Sequence, residues 1–276
     1  MKPACSAFAP PSASSSRPTK YRSSACSLSR TRPQPEFGNF ALASSSLPIP
    51  TLSHVTLPVA GSTDRFPVRR IYCVGRNYLD HIREMKEGDE RDPPFFFQKP
   101  SDAVVENGAT IPYPPDTEDF QFEVEMVVAL GAGGRDLSPA NALDSVFGYA
   151  VGIDLTRRDQ QRDMRAKMLP WERGKSFDAS APCGLIHRAA VIGHPARGAI
   201  ALHVGSTERQ RGDLAEMIWN VPEIVANLST SYRLAAGDLI MTGTPAGVGP
   251  VFPGDRIRGA IEGVGEILIT IGQREN

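Results

Sequence analysis

From Val68 onward the chain is written as short β-branched or aromatic runs cut apart by Gly, Pro and Asp, a texture that predicts a strand-dominated fold with sparse helices. Arg70 to Val74 reads as a strand, and Tyr78 to Met85 as a short helix, because Tyr78, Ile82 and Met85 recur at helical spacing. Phe95-Phe96-Phe97 reads as a buried strand, and Phe120 to Leu130 as the longest strand. Residues 139 to 146 predict a helix with Ser138 as N-cap and Pro139 at its first position. Tyr149 to Asp154 predicts a strand, and Thr156 to Met168 a charged, exposed helix. Further strands are expected over Ala199 to Val204, Asp238 to Met241, Arg256 to Ile261 and Glu266 to Ile271, and Leu214 to Leu228 should hold a helix that Pro222 interrupts or restarts. The class is α+β.

Residues 1–52 break this pattern. They are dominated by Ser, Pro and Ala, lack apolar periodicity, and carry six basic residues against the single acid Glu36 up to Pro50. A disordered N-terminal extension is expected there, followed by one domain over 53–276. Its Arg- and Ser-rich, acid-poor makeup fits an organelle transit peptide, and an upstream extension without function fits equally. With 41% hydrophobic and 22% charged residues, the remainder has material for one sizeable core. A net charge of -1 gives no footprint for nucleic acid or a membrane surface, so a small-molecule partner is expected. Cys5, Cys26, Cys73 and Cys183 lie far apart with no C-x-x-C pair, which suggests neither a zinc knuckle nor a disulfide framework. The apolar stretches fall far short of the roughly 20 residues that span a bilayer. A cytoplasmic location is expected, with organelle targeting as the alternative.

Chemistry enters with Phe120-Gln121-Phe122-Glu123-Val124-Glu125-Met126. Side chains alternate across a pleat, so Glu123 and Glu125 share one face, where a cation would relieve their repulsion. The solvated face of an edge strand explains the same pattern. Asp154 closes the apolar run Tyr149 to Ile153, either as a polar group at the rim of the core or as a helix cap before Thr156. Three carboxylates without a Cys or His cluster suit Mg²⁺, Mn²⁺ or Ca²⁺ better than Zn²⁺. His81 and Glu84 stand three apart on one helix face, as a carboxylate-oriented general base or as a surface pair. Lys175 faces the carboxylates or is a solvated lysine, and the loop Thr242 to Gly249 brings backbone N–H groups to an anionic substrate or is a turn.

Taken in order, Gly75-Arg76-Asn77-Tyr78 with His81 and Glu84, Glu123-x-Glu125, Asp154, Lys175-Ser176-Phe177-Asp178 and Thr242-Gly243-Thr244-Pro245-Ala246-Gly247-Val248-Gly249 resemble the fumarylacetoacetate hydrolase family over roughly residues 57 to 273. The resemblance implies a mixed β-roll with a few short helices, a homodimer, and Mg²⁺ or Mn²⁺ held by Glu123, Glu125 and Asp154. It further implies that Lys175 holds the substrate's keto or enolate oxygen, that Arg158, Gln161 and Thr244 contact substrate, and that His81 with Glu84 activates water on a mobile lid. Phe122 departs from the His that many members place before the first metal Glu, and Val204-Gly205-Ser206 departs from a common Val-Asn-Gly turn. The opening Phe66 to Gly75 and the pair Pro93-Pro94 look most like the acylpyruvate hydrolase branch. The activity so implied is hydrolysis of the carbon-carbon bond of a diketo acid, with fumarylpyruvate as the leading candidate. Oxaloacetate decarboxylation on the same metal site and a non-catalytic oxyacid-binding or scaffold role are the alternatives.

Overall fold

The strand Val124–Leu130 is buried at every one of its positions, so both of its faces are covered. In the computed structural model, which describes residues 54–85 and 92–274, this strand lies at the middle of the largest sheet. The strand order there is Phe95–Lys99, Arg70–Gly75, Asp238–Met241, Val124–Leu130, Val146–Ile153, Ala181–Cys183 and Val104–Glu106, with His187–Arg188 also paired to Val146–Ile153. Neighbours are mostly antiparallel, but Asp238–Met241 runs parallel to Arg70–Gly75, and Ala181–Cys183 parallel to Val104–Glu106.

On one face Val124, Met126, Val128 and Leu130 share a core with Ile200, Leu202, Ile257, Ile267 and Ile269. These belong to a second sheet of Thr207–Asp213, Ala199–Val204, Arg256–Ile261, Gly265–Arg274 and Thr110–Tyr113. On the other face Val127 and Ala129, with Ile71, Cys73, Leu239 and Met241, pack on Leu57, Val59 and Phe66 of the hairpin Thr56–Pro58 and Arg65–Pro67. The result is a strand-dominated mixed β-roll with a few short helices. Among the described residues no helix is long and apolar enough to cross a membrane. Residues 1–52, read as a disordered extension, lie outside the described residues, as do Cys5 and Cys26.

Several expected elements differ in instructive ways. The run Phe120 to Leu130 is two strands, Phe120–Phe122 and Val124–Leu130, divided at Glu123. Phe120–Phe122 leaves the large sheet to pair with Thr156–Arg157 and Gly249–Pro250. Phe95–Lys99 is a sheet edge, so its phenylalanines are half-buried rather than buried, with Phe95 edge-on to Trp171 at 4.9 Å. Residues Pro139–Ser145 form a 3₁₀ helix in which the Ser138 side chain makes no cap bond.

The helix expected over Thr156 to Met168 spans Arg158–Ala166, because Thr156 and Arg157 are held by strand pairing and the Arg158 N–H donates to the Asp119 carbonyl at 2.8 Å. It is not an exposed helix, since Arg158, Gln161 and Met164 form a buried stripe. Pro222 restarts a helix, Val221–Ser231, whose Asn220 cap forms a capping box with Glu223. The Val204 to Ser206 departure is a hairpin turn with Gly205 at φ +59°, a conformation that glycine tolerates without cost. Phe122 is wholly buried in the core.

Candidate active site

Strand register assembles the carboxylates. Val124 pairs with Ile153, and the Asp154 N–H donates to the Glu123 carbonyl at 2.8 Å, so the break at Glu123 stands beside the end of Val146–Ile153. Oxygens of Glu123, Glu125 and Asp154 all fall within 4.8 Å of one another, and all three residues are buried. Neither the solvated-edge reading of the glutamates nor the cap reading of Asp154 describes this arrangement.

Lys175, 2% exposed, is not a surface lysine. Its Nζ donates to Glu123 Oε2 at 2.8 Å, Asp154 Oδ2 at 2.8 Å and Thr156 Oγ1 at 2.7 Å. Burial opposes its charge, but Asp154 and Glu123 outweigh that and raise its pKa above the ordinary lysine value. Arg158 pairs through Nη2 with Glu123 Oε1 and donates from Nη1 to Gln161 Oε1 at 2.5 Å and from Nε to Gln121 Oε1 at 2.8 Å. For Glu123 burial pushes the pKa up, and the neighbouring Lys175 and Arg158 prevail and hold it far below the carboxylate range.

Lys99 belongs to the same cluster and was not legible in the sequence. Its Nζ lies 2.9 Å from Asp154 Oδ1 and donates to the Leu155 carbonyl at 3.1 Å and to the Lys175 carbonyl. A lysine closing the run Phe95 to Gln98 reads as the solvated end of a strand, and its only signal is a cation two residues after an aromatic run.

Glu125 is the exception among the carboxylates. It accepts from the Gly243 N–H at 2.6 Å, and burial, then Asp154 and Glu123, drive its pKa well above the ordinary value. Asp154 Oδ1 touches Lys99 outside hydrogen-bond geometry and so is a buried oxygen with acceptor capacity to spare. An all-oxygen trio with one under-compensated carboxylate and one under-used oxygen fits a hard divalent cation.

His81 and Glu84 come from the helix Leu79–Met85, with His81 Nδ1 3.4 Å from Glu84 Oε2. Residues 86–91, which follow this helix in the sequence, lie outside those described, so the mobile lid implied for this dyad is not tested by the described residues. Glu84 also accepts from the Gly247 N–H at 3.1 and 3.3 Å. Its pKa is lowered, first by the hydrogen bond with His81, against burial, and then by the Gly247 bond. Two of the glycine loop's amides are therefore already committed within the protein. Gly243 and Gly247 spend them on the protein's own Glu125 and Glu84.

The Gly247 conformation is not replaceable. At φ +98° an added Cβ would lie 2.1 Å from the Arg209 carbonyl oxygen. Gly247→Ala is expected to cost about 1–3 kcal/mol and to uncouple Glu84 from the loop. A lowered thermal midpoint together with reduced turnover checks this, and a variant with wild-type values in both contradicts it.

One cleft is lined by His81, Glu123, Glu125, Arg158, Gln161, Lys175 and Thr244, together with Arg76, Phe97 and Trp171. Asp154 stands behind Lys175, and Glu84 behind His81. Asn77, buried, ties the cleft wall together. Its Nδ2 donates to the Trp219 and Thr242 carbonyls at 2.9 and 2.7 Å, and its Oδ1 accepts from the Trp219 N–H at 2.7 Å. Burial pushes the Cys73 thiol well up and that of Cys183 to about 12, which removes both as thiolate nucleophiles.

The family profile described as "Fumarylacetoacetate (FAA) hydrolase C-terminal" matches residues 70–271. Fumarylpyruvate hydrolase of Ralstonia sp is 44% identical over 182 residues, covering 66% of this chain and 94% of that protein. The human mitochondrial oxaloacetate tautomerase FAHD1 is 38% identical over 207 residues, covering 75% and 93%. The crystal structure of fumarylpyruvate hydrolase from Pseudomonas aeruginosa in complex with Mn²⁺ and pyruvate superposes with a TM-score of 0.82 at 47% identity, covering 83% of this chain and 100% of that one.

Proposed function

Because this chain belongs to the fumarylacetoacetate hydrolase family, we propose that it is a divalent-metal-dependent hydrolase of an acylpyruvate, converting fumarylpyruvate and water to fumarate and pyruvate. The observation that carries this reading is that a carboxylate-paired histidine and a carboxylate trio, two of whose members Lys175 binds, line or adjoin the same cleft. A Mg²⁺ or Mn²⁺ ion held by Glu123, Glu125 and Asp154 would supply Lewis-acid polarisation of the 2-keto acid end.

The chain's own groups account for the remaining steps. His81 accepts a proton from the water that attacks the distal carbonyl, and the ionised Glu84 orients the ring and stabilises its positive charge. The water oxygen bonds to the acyl carbon. The bond from that carbon to the pyruvate methylene then breaks, its electron pair forms the pyruvate enolate, and the proton held by His81 passes to the methylene carbon to give the methyl group of pyruvate. Lys175 supports the enolate oxygen by exchanging one of its three present acceptors. Arg158, Gln161 and Thr244 hold the remaining substrate oxygens.

Charge favours a dianionic substrate. Glu123, Glu125 and Asp154 are balanced by Lys99, Lys175 and Arg158, so a divalent ion leaves two positive charges for the ligand to neutralise. Arg76 adds a further cation to the cleft wall. Mn²⁺ at a hundred times its dissociation constant is expected to stabilise the fold by about 2.7 kcal/mol, read as a rise in thermal midpoint that EDTA reverses. A midpoint indifferent to Mn²⁺ and Mg²⁺ would contradict the metal site.

A second reading, oxaloacetate chemistry on the same site, is favoured by the likeness to FAHD1 proteins named as oxaloacetate tautomerases. It needs enolate stabilisation and no attacking water. We further propose a homodimer acting in the cytoplasm. A mitochondrial location is the alternative supported by the acid-poor residues 1–52 and by the relatives' names.

A further inference from the structure

We propose that Gln210 is a positioning residue that fixes the Thr244 hydroxyl as a hydrogen-bond donor to the ligand, an inference resting on the oxyacid-binding reading above. Gln210 lies in Thr207–Asp213, an outer strand of the smaller sheet, and is the single fully buried residue of that strand. Its Oε1 accepts from the Val124 N–H at 2.9 Å, while its Nε2 donates to Thr244 Oγ1 and to the Pro245 carbonyl, both at 2.8 Å. A backbone N–H can only donate and a carbonyl can only accept, so these partners fix the amide orientation and exclude the flipped one.

Two consequences follow from this one amide. Val124 is the residue between Glu123 and Glu125, so Gln210 holds the strand break at which both glutamates turn inward. A hydroxyl has a single hydrogen, and because Thr244 Oγ1 accepts from Gln210, that hydrogen is left to donate into the cleft that Thr244 lines. The two elements meet closely elsewhere too, since a Cβ at Gly212 would lie 2.8 Å from Pro245 Cβ. The Gln210 side chain therefore spans a fixed gap.

Gln210→Glu retains the acceptor for Val124 but puts a single acceptor oxygen where Nε2 made both donated bonds. The Thr244 hydroxyl then turns to donate to Glu and is withdrawn from the ligand. Thr244→Val removes the hydroxyl outright. We would measure kcat/KM on fumarylpyruvate, and pyruvate and Mn²⁺ affinities by calorimetry, for wild type, Q210E, T244V and the double variant. The single variants should each lose about ten- to a hundredfold in kcat/KM, the scale of one hydrogen bond to a charged group. The double variant should lose no more than T244V, and Mn²⁺ affinity should stay within about twofold throughout.

Full additivity of the two losses, wild-type behaviour of Q210E, or an equal loss of Mn²⁺ affinity in Q210E would overturn the proposal. Should Q210E give no cooperative melt, Q210M, which removes the donors without adding charge but also removes the acceptor for the Val124 N–H, takes its place in the same cycle, read on kcat/KM and pyruvate affinity alone. A wild-type protein that binds Mn²⁺ and pyruvate without turnover would overturn the hydrolase reading alone, and the cycle is then read on pyruvate affinity. Failure of wild type to bind either would overturn both.

Discussion

Replacing Asp154 with Ala is expected to abolish metal-dependent turnover and to lower stability by about 3–5 kcal/mol. Asp154 is wholly buried and meets two ammonium groups, Lys99 and Lys175, at 2.9 and 2.8 Å. Those lysines are themselves almost entirely buried, so removing the carboxylate leaves cations in the interior with one fewer compensating charge. The loss extends beyond one pair, because Lys99 also holds the Lys175 carbonyl and Lys175 also holds Glu123. Denaturant unfolding and Mn²⁺ calorimetry of the variant measure the two effects separately. Full activity in metal-free Asp154→Ala would remove the basis for a metal-dependent site.

His81→Ala is expected to reduce hydrolysis by roughly 10²- to 10⁴-fold while leaving Mn²⁺ affinity near wild type. The His81 side chain hydrogen-bonds Glu84 and none of the carboxylate trio, so its loss leaves the hydrogen bonds of the enolate-supporting half of the site in place. Any activity toward oxaloacetate should survive, since that chemistry requires no activated water. Glu84→Gln should give a smaller loss, because an amide oxygen still accepts from Gly247 but no longer stabilises a protonated imidazole. Steady-state rates of both variants on an acylpyruvate and on oxaloacetate make the comparison. Equal loss of both activities in His81→Ala would contradict the division of labour.

How much of this was legible in the sequence depended on whether local pattern or distant packing decided each feature. Alternation placed Glu123 and Glu125 on one face, and the run Asp238–Met241 appears with the bounds its apolar residues predict. The break at Glu123 was not legible. It is set by Asp154 bonding the Glu123 carbonyl and by Gln210 capturing the Val124 N–H, from residues 31 and 86 positions away. Thr207–Asp213 was missed because Thr-Glu-Arg-Gln-Arg-Gly-Asp carries no apolar alternation, and its one fully buried side chain is polar.

Arg158 and Gln161 read as members of an exposed charged helix, because no local signal separates a charged side chain aimed into a cleft from one aimed at solvent. Only the family resemblance turned them inward. The glycine loop read equally as an anion-binding loop or a turn, and which anions its amides serve was not legible. Glu84 and Glu125 occupy Gly247 and Gly243, contacts spanning more than a hundred residues in sequence.

The most direct measurement is a time course of fumarylpyruvate absorbance with purified protein, with and without Mn²⁺, with fumarate and pyruvate quantified at the end. The expected result is metal-dependent loss of the diketo acid, with one fumarate and one pyruvate formed for each molecule consumed. Persistence of fumarylpyruvate in the presence of Mn²⁺-loaded, folded protein, or conversion only of oxaloacetate, would contradict it.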